Sequence, residues 1–331
     1  MNTQLQRKLP GITIAYAKCI ALFTTACLLL LNANAAPTTI NQSFDVASGG
    51  QLTVEAESTK IEVRGNDNAH LTITISRGDD SEQDIRDDYD IELSQSGNTV
   101  QVSIQRLHRF SFRHTRSLKL EITVPRQFDL DLDSSGGRID IANVSGEIQS
   151  RTSGGSLHFI DVAGVIQGKT SGGSIELSGR PQTADLKTSG GSIRIGMVEG
   201  DVFAHTSGGS IFIDGAKGSV IASTSGGSIK IGEAHGKIRA TTSGGKIVAH
   251  LPGQLLADSK LSTSGGSVTV YLGSSVALNI DAQTSGGRVH NDLPVRVSGT
   301  KSKNSLKGEL NGGGPELYLR ASGGSINLRE I

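Results

Sequence analysis

A Ser-Gly-Gly triplet begins at Ser135 and returns at Ser153, Ser171, Ser189, Ser207, Ser225 and Ser243, each time after 18 residues. It returns at Ser264 and Ser285 after 21 residues each, and at Ser322 after 37. A fixed period in this range marks a solenoid, in which each repeat is one supersecondary unit that buries its apolar face against its neighbours. No other feature of the chain restricts its fold so strongly.

Aligning the repeats on the triplet explains the period. Ile139, Leu157, Ile175, Ile193, Ile211, Ile229, Ile247, Val268, Val289 and Ile326 share one column, and Ile141, Phe159, Leu177, Ile195, Ile213 and Ile231 stand two residues further on. A second arm supplies Ile148, Ile166, Ala184, Val202, Val220 and Ile238. The residues between them vary and are mostly polar. Two short strands and two turns per coil, with alternate side chains inward, satisfy this pattern. At about 4.8 Å per coil, ten coils make a rod on the order of 45 Å. The 43 glycines show no Gly-X-Y period, so they are expected to serve turns. The triplet pair is expected at one corner through positive φ, and Gly146, Gly164, Gly200, Gly218 and Gly236 at the other, with Gln182 as the exception. Thr152, Thr170, Thr188, Thr206, Thr224 and Thr242 form a further column, and parity with Val202 and Ala204 turns their hydroxyls inward.

The repeat begins only at residue 134. From about Phe44 to Asp133 the segments QLTVEAE, KIEVRG, HLTITIS, YDIELSQ, TVQVSIQ, LKLEITVP and FDLDLD alternate apolar and polar residues, as half-buried strands do. The expected architecture is all-β, an antiparallel β-sheet region over 36–133 followed by a single-stranded β-solenoid over 134–331. The basic, glycine-rich stretch at about 298–315 reads as an exposed loop or irregular coil inserted before the last repeat. Residues 1–35 read as an export signal. Arg7, Lys8 and Lys18 precede or flank an apolar run from Ile20 to Leu31, and Ala33-Asn34-Ala35 offers a cleavage site. That run is too short for a comfortable membrane span, and no later segment replaces it. Cleavage after Ala35 removes both cysteines, Cys19 and Cys27, leaving a mildly acidic chain without thiol chemistry, in the periplasm, secreted or at the cell surface.

The repeated T-S-G-G-S-I-x-I text, the closing KGELNGGGPELYLRASGGSINL and the earlier LKLEITVPRQFDLDLDSSGG resemble the bacterial "putative adhesin" β-solenoid family, with its LiaG-like and head-GIN-domain relatives. The resemblance spans essentially the whole mature chain. It implies the solenoid fold and an adhesin-like role, and it carries no catalytic residues.

The chemistry of the outward positions points the same way. Zero formal net charge gives no global field for nucleic acid. In the outward column Asp140, His158, Glu176, Arg194, Phe212, Lys230 opposite signs adjoin, and the paired carboxylates in adjacent coils that a glycoside hydrolase uses are expected to be missing. His158, His205, His235, His250 and His290 fall in different columns or distant coils, so no metal or other cofactor is expected. One column departs from charge balance: Arg151, Lys169, Lys187 and His205 follow one another in four coils before Ser223 and Thr241. Stacked like charges are unfavourable, so this stripe is a candidate site for an anionic glycan or envelope component. Arg77-Gly78-Asp79 reads as a turn, and the acidic run Asp79–Asp90 and basic run Arg106–Lys119 as two loops. The expected function is an exported, non-enzymatic cell-envelope interaction or adhesin-like module presenting a rigid face. Two alternatives stay open on the sequence. They are a carbohydrate-active β-helix enzyme acting on acidic polysaccharide and an ice-binding protein with outward threonines.

Overall fold

The computed structural model describes residues 38–107, 117–298 and 302–331. The export segment with Cys19 and Cys27 and most of the basic run lie outside them. Among the described residues, 27 strands join in one hydrogen-bonded sheet, with one short helix, Glu82–Asp88. Along most of the repeats each coil supplies two strands, while Leu157–Thr170 and Ile175–Lys187 each run as one strand through both arms, and equivalent segments of neighbouring coils pair in parallel. Ile193–Val198 pairs with Ile211–Ala216, for example, and Val202–His205 with Val220–Thr224, both in 18-residue register. The three apolar columns read from the sequence are buried, save Val289 at the far end, which is partly exposed. Each buried isoleucine contributes about 1.5–3 kcal/mol, so the stack stands without cross-links.

The corner is built differently from the expected one. The triplet glycines are not in the left-handed region. The second glycine of each pair is required because the coils approach too closely there for a side chain. A Cβ on Gly155 would lie 2.0 Å from the carbonyl oxygen of Gly137, and one on Gly191 would lie 2.1 Å from that of Gly173. The preceding threonine seals the same contact. Thr206 Oγ1 donates to the Gly191 carbonyl at 2.8 Å, across the coil boundary, and accepts from the Gly209 amide at 3.3 Å within its own coil. Thr152, Thr170, Thr188, Thr224 and Thr242 repeat both bonds. All six are buried. The outward threonines on which an ice-binding face depends are therefore not present in this column.

The N-terminal region is part of the same stack. Phe128–Ser134 pairs in parallel with Ser145–Thr152 on one side and with Gly50–Ala56 on the other, so the ladder runs unbroken across residue 133. Ser134 takes the threonine role at this junction, donating to the Thr59 carbonyl and accepting from Gly137. Beyond Gly50–Ala56 and Lys60–Asn66 lie Thr99–Arg106 and Lys119–Pro125, again parallel. Antiparallel pairing is confined to the outer margin, where Tyr89–Ser96 covers Thr99–Arg106, His70–Ser76 covers Lys119–Pro125, and Thr39–Asp45 covers His70–Ser76. The first coil of the chain thus sits second in the stack.

The far end mirrors this order. Glu316–Ala321 lies between Ser259–Thr263 and Leu278–Thr284, parallel to both, and Ile326–Glu330 lies between Val268–Leu272 and Val289–Asn291. The last coil of the chain therefore fills a slot left between two earlier ones. The stretch expected to be an exposed loop contains the strand Ser305–Leu310, which closes antiparallel on Leu278–Thr284 and buries Leu306 and Leu310. Antiparallel strands at both ends cover edges that would otherwise invite pairing with another chain.

The acidic run is also more ordered than expected. Ser81 and Asp84 form a capping box for Glu82–Asp88. Arg77 is buried, with Nε 2.5 Å from Asp80, Nη1 2.7 Å from Asp88, and Nη2 donating to the Asp84 carbonyl. Its tripeptide forms a turn, as expected, with the Asp80 amide bonded to the Arg77 carbonyl and no arginine on display.

The corner geometry predicts an ordered pair of effects. Gly191→Ala, which drives its Cβ into main chain, is expected to cost about 1–3 kcal/mol or more. Gly190→Ala, whose Cβ would stand 3.2 Å from the Gly172 carbonyl, is expected to cost less. Thr206→Val, which strands a buried amide and carbonyl, is expected to cost about 1–3 kcal/mol. Denaturant midpoints of the three variants check the order; equal losses at Gly190 and Gly191 would refute the close-approach account.

Candidate functional site

The second-arm strands bring the predicted basic residues into one column. Arg151 pairs with Lys169, Lys169 with Lys187, and Lys187 with His205, and the column continues into Ser223 and Thr241. All four side chains are exposed because their parity is opposite to that of the buried column beside them. Arg151 reaches Asp131 at 3.3 Å and Lys187 reaches Asp185 at 2.9 Å. The His205 Nδ1 lies 2.7 Å from the Ser223 hydroxyl. Lys169 has no carboxylate partner among the described residues. A groove of about 110 Å³ runs between Arg151, Lys169 and Lys187, with Gln149, Gln167 and Asp185 along its other wall. The two amides and three cations offer hydrogen-bond donors in a row spaced by the coil rise, which suits a linear ligand with repeated negative charge. Beside His205 and Ser223, the adjacent column exposes Phe203 and Ile221.

The first-arm face corrects one expectation. Asp140, His158, Glu176, Arg194, Phe212 and Lys230 do stand in register. But carboxylates are paired in adjacent coils, because the early coils stack out of sequence order. Glu121 is the partner of Glu62, Glu62 that of Asp140, and on the other arm Glu55 that of Asp133. Only long-range pairing reveals these neighbours, since the residues come from segments with no shared repeat. Glu62, Asp140 and Glu121 are held by cations: Lys60 is 2.5 Å and Lys119 3.5 Å from Glu62, Lys119 is 2.7 Å from Glu121, and Arg138 is 2.8 Å from Asp140. His158 Nδ1 lies 2.7 Å from Asp140. The Lys60 hydrogen bond, with the charge of Lys119, holds the Glu62 carboxyl below its usual range despite its burial. Such a group is a poor proton donor near neutral pH, so Glu62 does not suit the role of the carboxylic acid in glycoside hydrolysis.

The predicted histidines do not converge. Among the described residues, no group of three or more His, Cys, Asp or Glu side chains is placed to hold a metal ion. No helix among them is long and apolar enough to cross a membrane.

Comparison with known proteins matches residues 50–329 to the family model described as Toastrack DUF4097. Among solved structures, a "putative adhesin" from Bacteroides fragilis shares 14% identity over 88% of this chain and 97% of its own, with a TM-score of 0.38. A "putative cell adhesion protein" from Clostridium sporogenes shares 13% over 88% of this chain and 100% of its own, at 0.23. A "putative lipid binding protein" from Parabacteroides distasonis shares 12% over 88% and 96%, at 0.24. None of the curated proteins matches significantly.

The Glu62 cluster predicts an acid dependence of stability. A carboxyl whose folded pKa is depressed stabilises the fold above its unfolded value, ordinarily 4.5, and the contribution is lost as pH falls through the folded value. Glu62→Gln is therefore expected to be less stable than the parent near neutral pH, with the gap closing in acid. Thermal midpoints of both proteins from about pH 7 to about pH 3 check this.

Proposed function

The chain belongs to the Toastrack DUF4097 family, and on that premise we propose that it is an exported, non-enzymatic, adhesin-like module of the cell envelope. In this reading the solenoid acts as a rigid scaffold and the Arg151, Lys169, Lys187 and His205 stripe as its binding face for an anionic surface polymer, such as lipopolysaccharide or an acidic glycan. The observation that carries the reading is the register of the stripe. Four basic side chains follow at successive coil spacings, three of them, Arg151, Lys169 and Lys187, along an exposed groove, with Lys169 lacking a carboxylate partner among the described residues. Stacking like charges opposes folding, and a polyanion lying along the column relieves that repulsion. A regular parallel ladder holds the charges at fixed spacing, so little ordering is needed on binding. The caged carboxylates of the other arm fit structural ion pairs better than catalysis.

Charge reversal at Lys169 and Lys187 together is expected to weaken retention on immobilised lipopolysaccharide about tenfold or more, and binding by the parent protein is expected to fall as salt rises. Unchanged binding by the double variant would dismiss the stripe. For export, protease treatment of intact producing cells is expected to digest the protein if it is surface-displayed and to spare it, along with a periplasmic control, if it stays beneath the outer layer. Recovery of an uncleaved chain in the cytoplasm would count against export altogether.

A further inference from the structure

A second site lies on the other arm of the coils. Asp214, Gly232 and His250 stand seven residues after the triplet serine in three successive coils and border one groove, and His250 pairs with Tyr271 in the fourth coil. The His250 and Tyr271 rings stack with centroids 4.5 Å apart and 10° between their planes. Because these residues are ladder partners, their stack runs along the axis of the solenoid, and the second face of the His250 ring turns toward the preceding coil. There the column holds Gly232, which offers no side chain. None can be placed there without moving main chain, since a Cβ on Gly232 would lie 2.0 Å from the Asp214 carbonyl oxygen. The packing of the coils thus keeps open a slot between His250 and Asp214, two coil rises or about 9.6 Å from one to the other.

The walls of the slot are chemically distinct. In the neighbouring column Arg194, Phe212 and Lys230 follow one another, with the Arg194 guanidinium 5.1 Å from the Phe212 ring centroid. Together these groups border a groove of about 290 Å³. The side chains of Asp214 and Lys230 have no partner among the described residues. One end is an aromatic platform, the other a carboxylate acceptor, and one flank is cationic.

We propose that this slot binds one acidic pyranose, a uronic acid unit of a polysaccharide. The C–H face of the sugar stacks on the exposed face of His250, where the ring presents its π-system. The ring hydroxyls on the far side donate to Asp214 as charge-assisted hydrogen bonds, and the sugar carboxylate meets Lys230 and Arg194. The combination selects this chemistry. A phosphate monoester would bring more negative charge toward Asp214, and a neutral flat base would bring no anion to Lys230 and Arg194. The site is independent of the basic stripe.

A trimer of galacturonic acid, titrated into nitrogen-15-labelled protein, is expected to shift the His250 ring resonances, assigned with His250→Gln. Maltotriose, its uncharged counterpart, is expected to leave them unmoved. Lys230→Glu is expected to weaken the affinity read at His250 about tenfold or more, with an unchanged thermal midpoint. Absence of a His250 response at millimolar trimer, an equal response to maltotriose, or parental affinity in Lys230→Glu would overturn the proposal. The His205 resonances report separately on the stripe. A response confined to His205 overturns the slot and leaves the stripe standing, and one confined to His250 supports the slot without the stripe.

Discussion

Everything in this molecule depends on how closely one corner lies upon the next. At the second glycine of each triplet the neighbouring carbonyl leaves no room for a Cβ, and the adjoining threonine bonds that carbonyl across the coil boundary. A buried carbonyl and a buried amide that would be costly unpaired are satisfied by one hydroxyl in each turn from Thr152 to Thr284, Ala321 before the last triplet being the exception. The near-identity of the repeats follows from this contact, since each must present the same donor, acceptor and bare α-carbon to the next. No ligand is needed to explain the repetition.

That contact also separates structure from display. The repeated text faces inward or occupies the corner, so outward positions are free to differ from coil to coil without loss of packing. The two arms have used this freedom differently. On one, cations gather in a single column, Arg151 and Lys187 each beside an aspartate and Lys169 without one among the described residues. On the other, acids and bases interlock at one end, and aromatics stand beside a bare glycine further along. A period-two backbone converts each such column into a row of fixed spacing, which is how a protein with only eight phenylalanines and no tryptophan builds ordered surfaces.

Most of the inward grammar is legible in the chain itself. The columns of Ile139 and Ile148, the inward threonines and the exposed Arg151 column all follow from parity and period. What parity does not encode is the identity of a strand's neighbours. Gly50–Ala56 and Lys60–Asn66 read as ordinary strands, yet they lie inside the stack, and their placement alone brings Glu62 beside Asp140. Ser305–Leu310 looked like loop because its two buried leucines sit among glycines and lysines. The helix after Ser81 was masked by its charge, although the Ser81–Asp84 spacing is that of a capping box. The slot at Gly232 was hidden for another reason. A glycine read as corner material is, on the flank of a strand, a missing side chain beside an aromatic ring.

The burial of the last coil between two earlier ones changes how the rod bears load. An edge strand pulled from its free end peels one hydrogen bond at a time. Glu316–Ala321 and Ile326–Glu330 instead have a parallel neighbour on each side, so tension applied at the C-terminus meets two ladders at once. At the other end, Thr39–Asp45 strips from a single partner, but Gly50–Ala56 and Lys60–Asn66 behind it are clamped on both sides. The first and last coils of the described stack are thus each held between two neighbours, so resistance to peeling is greatest where a simple solenoid would be weakest.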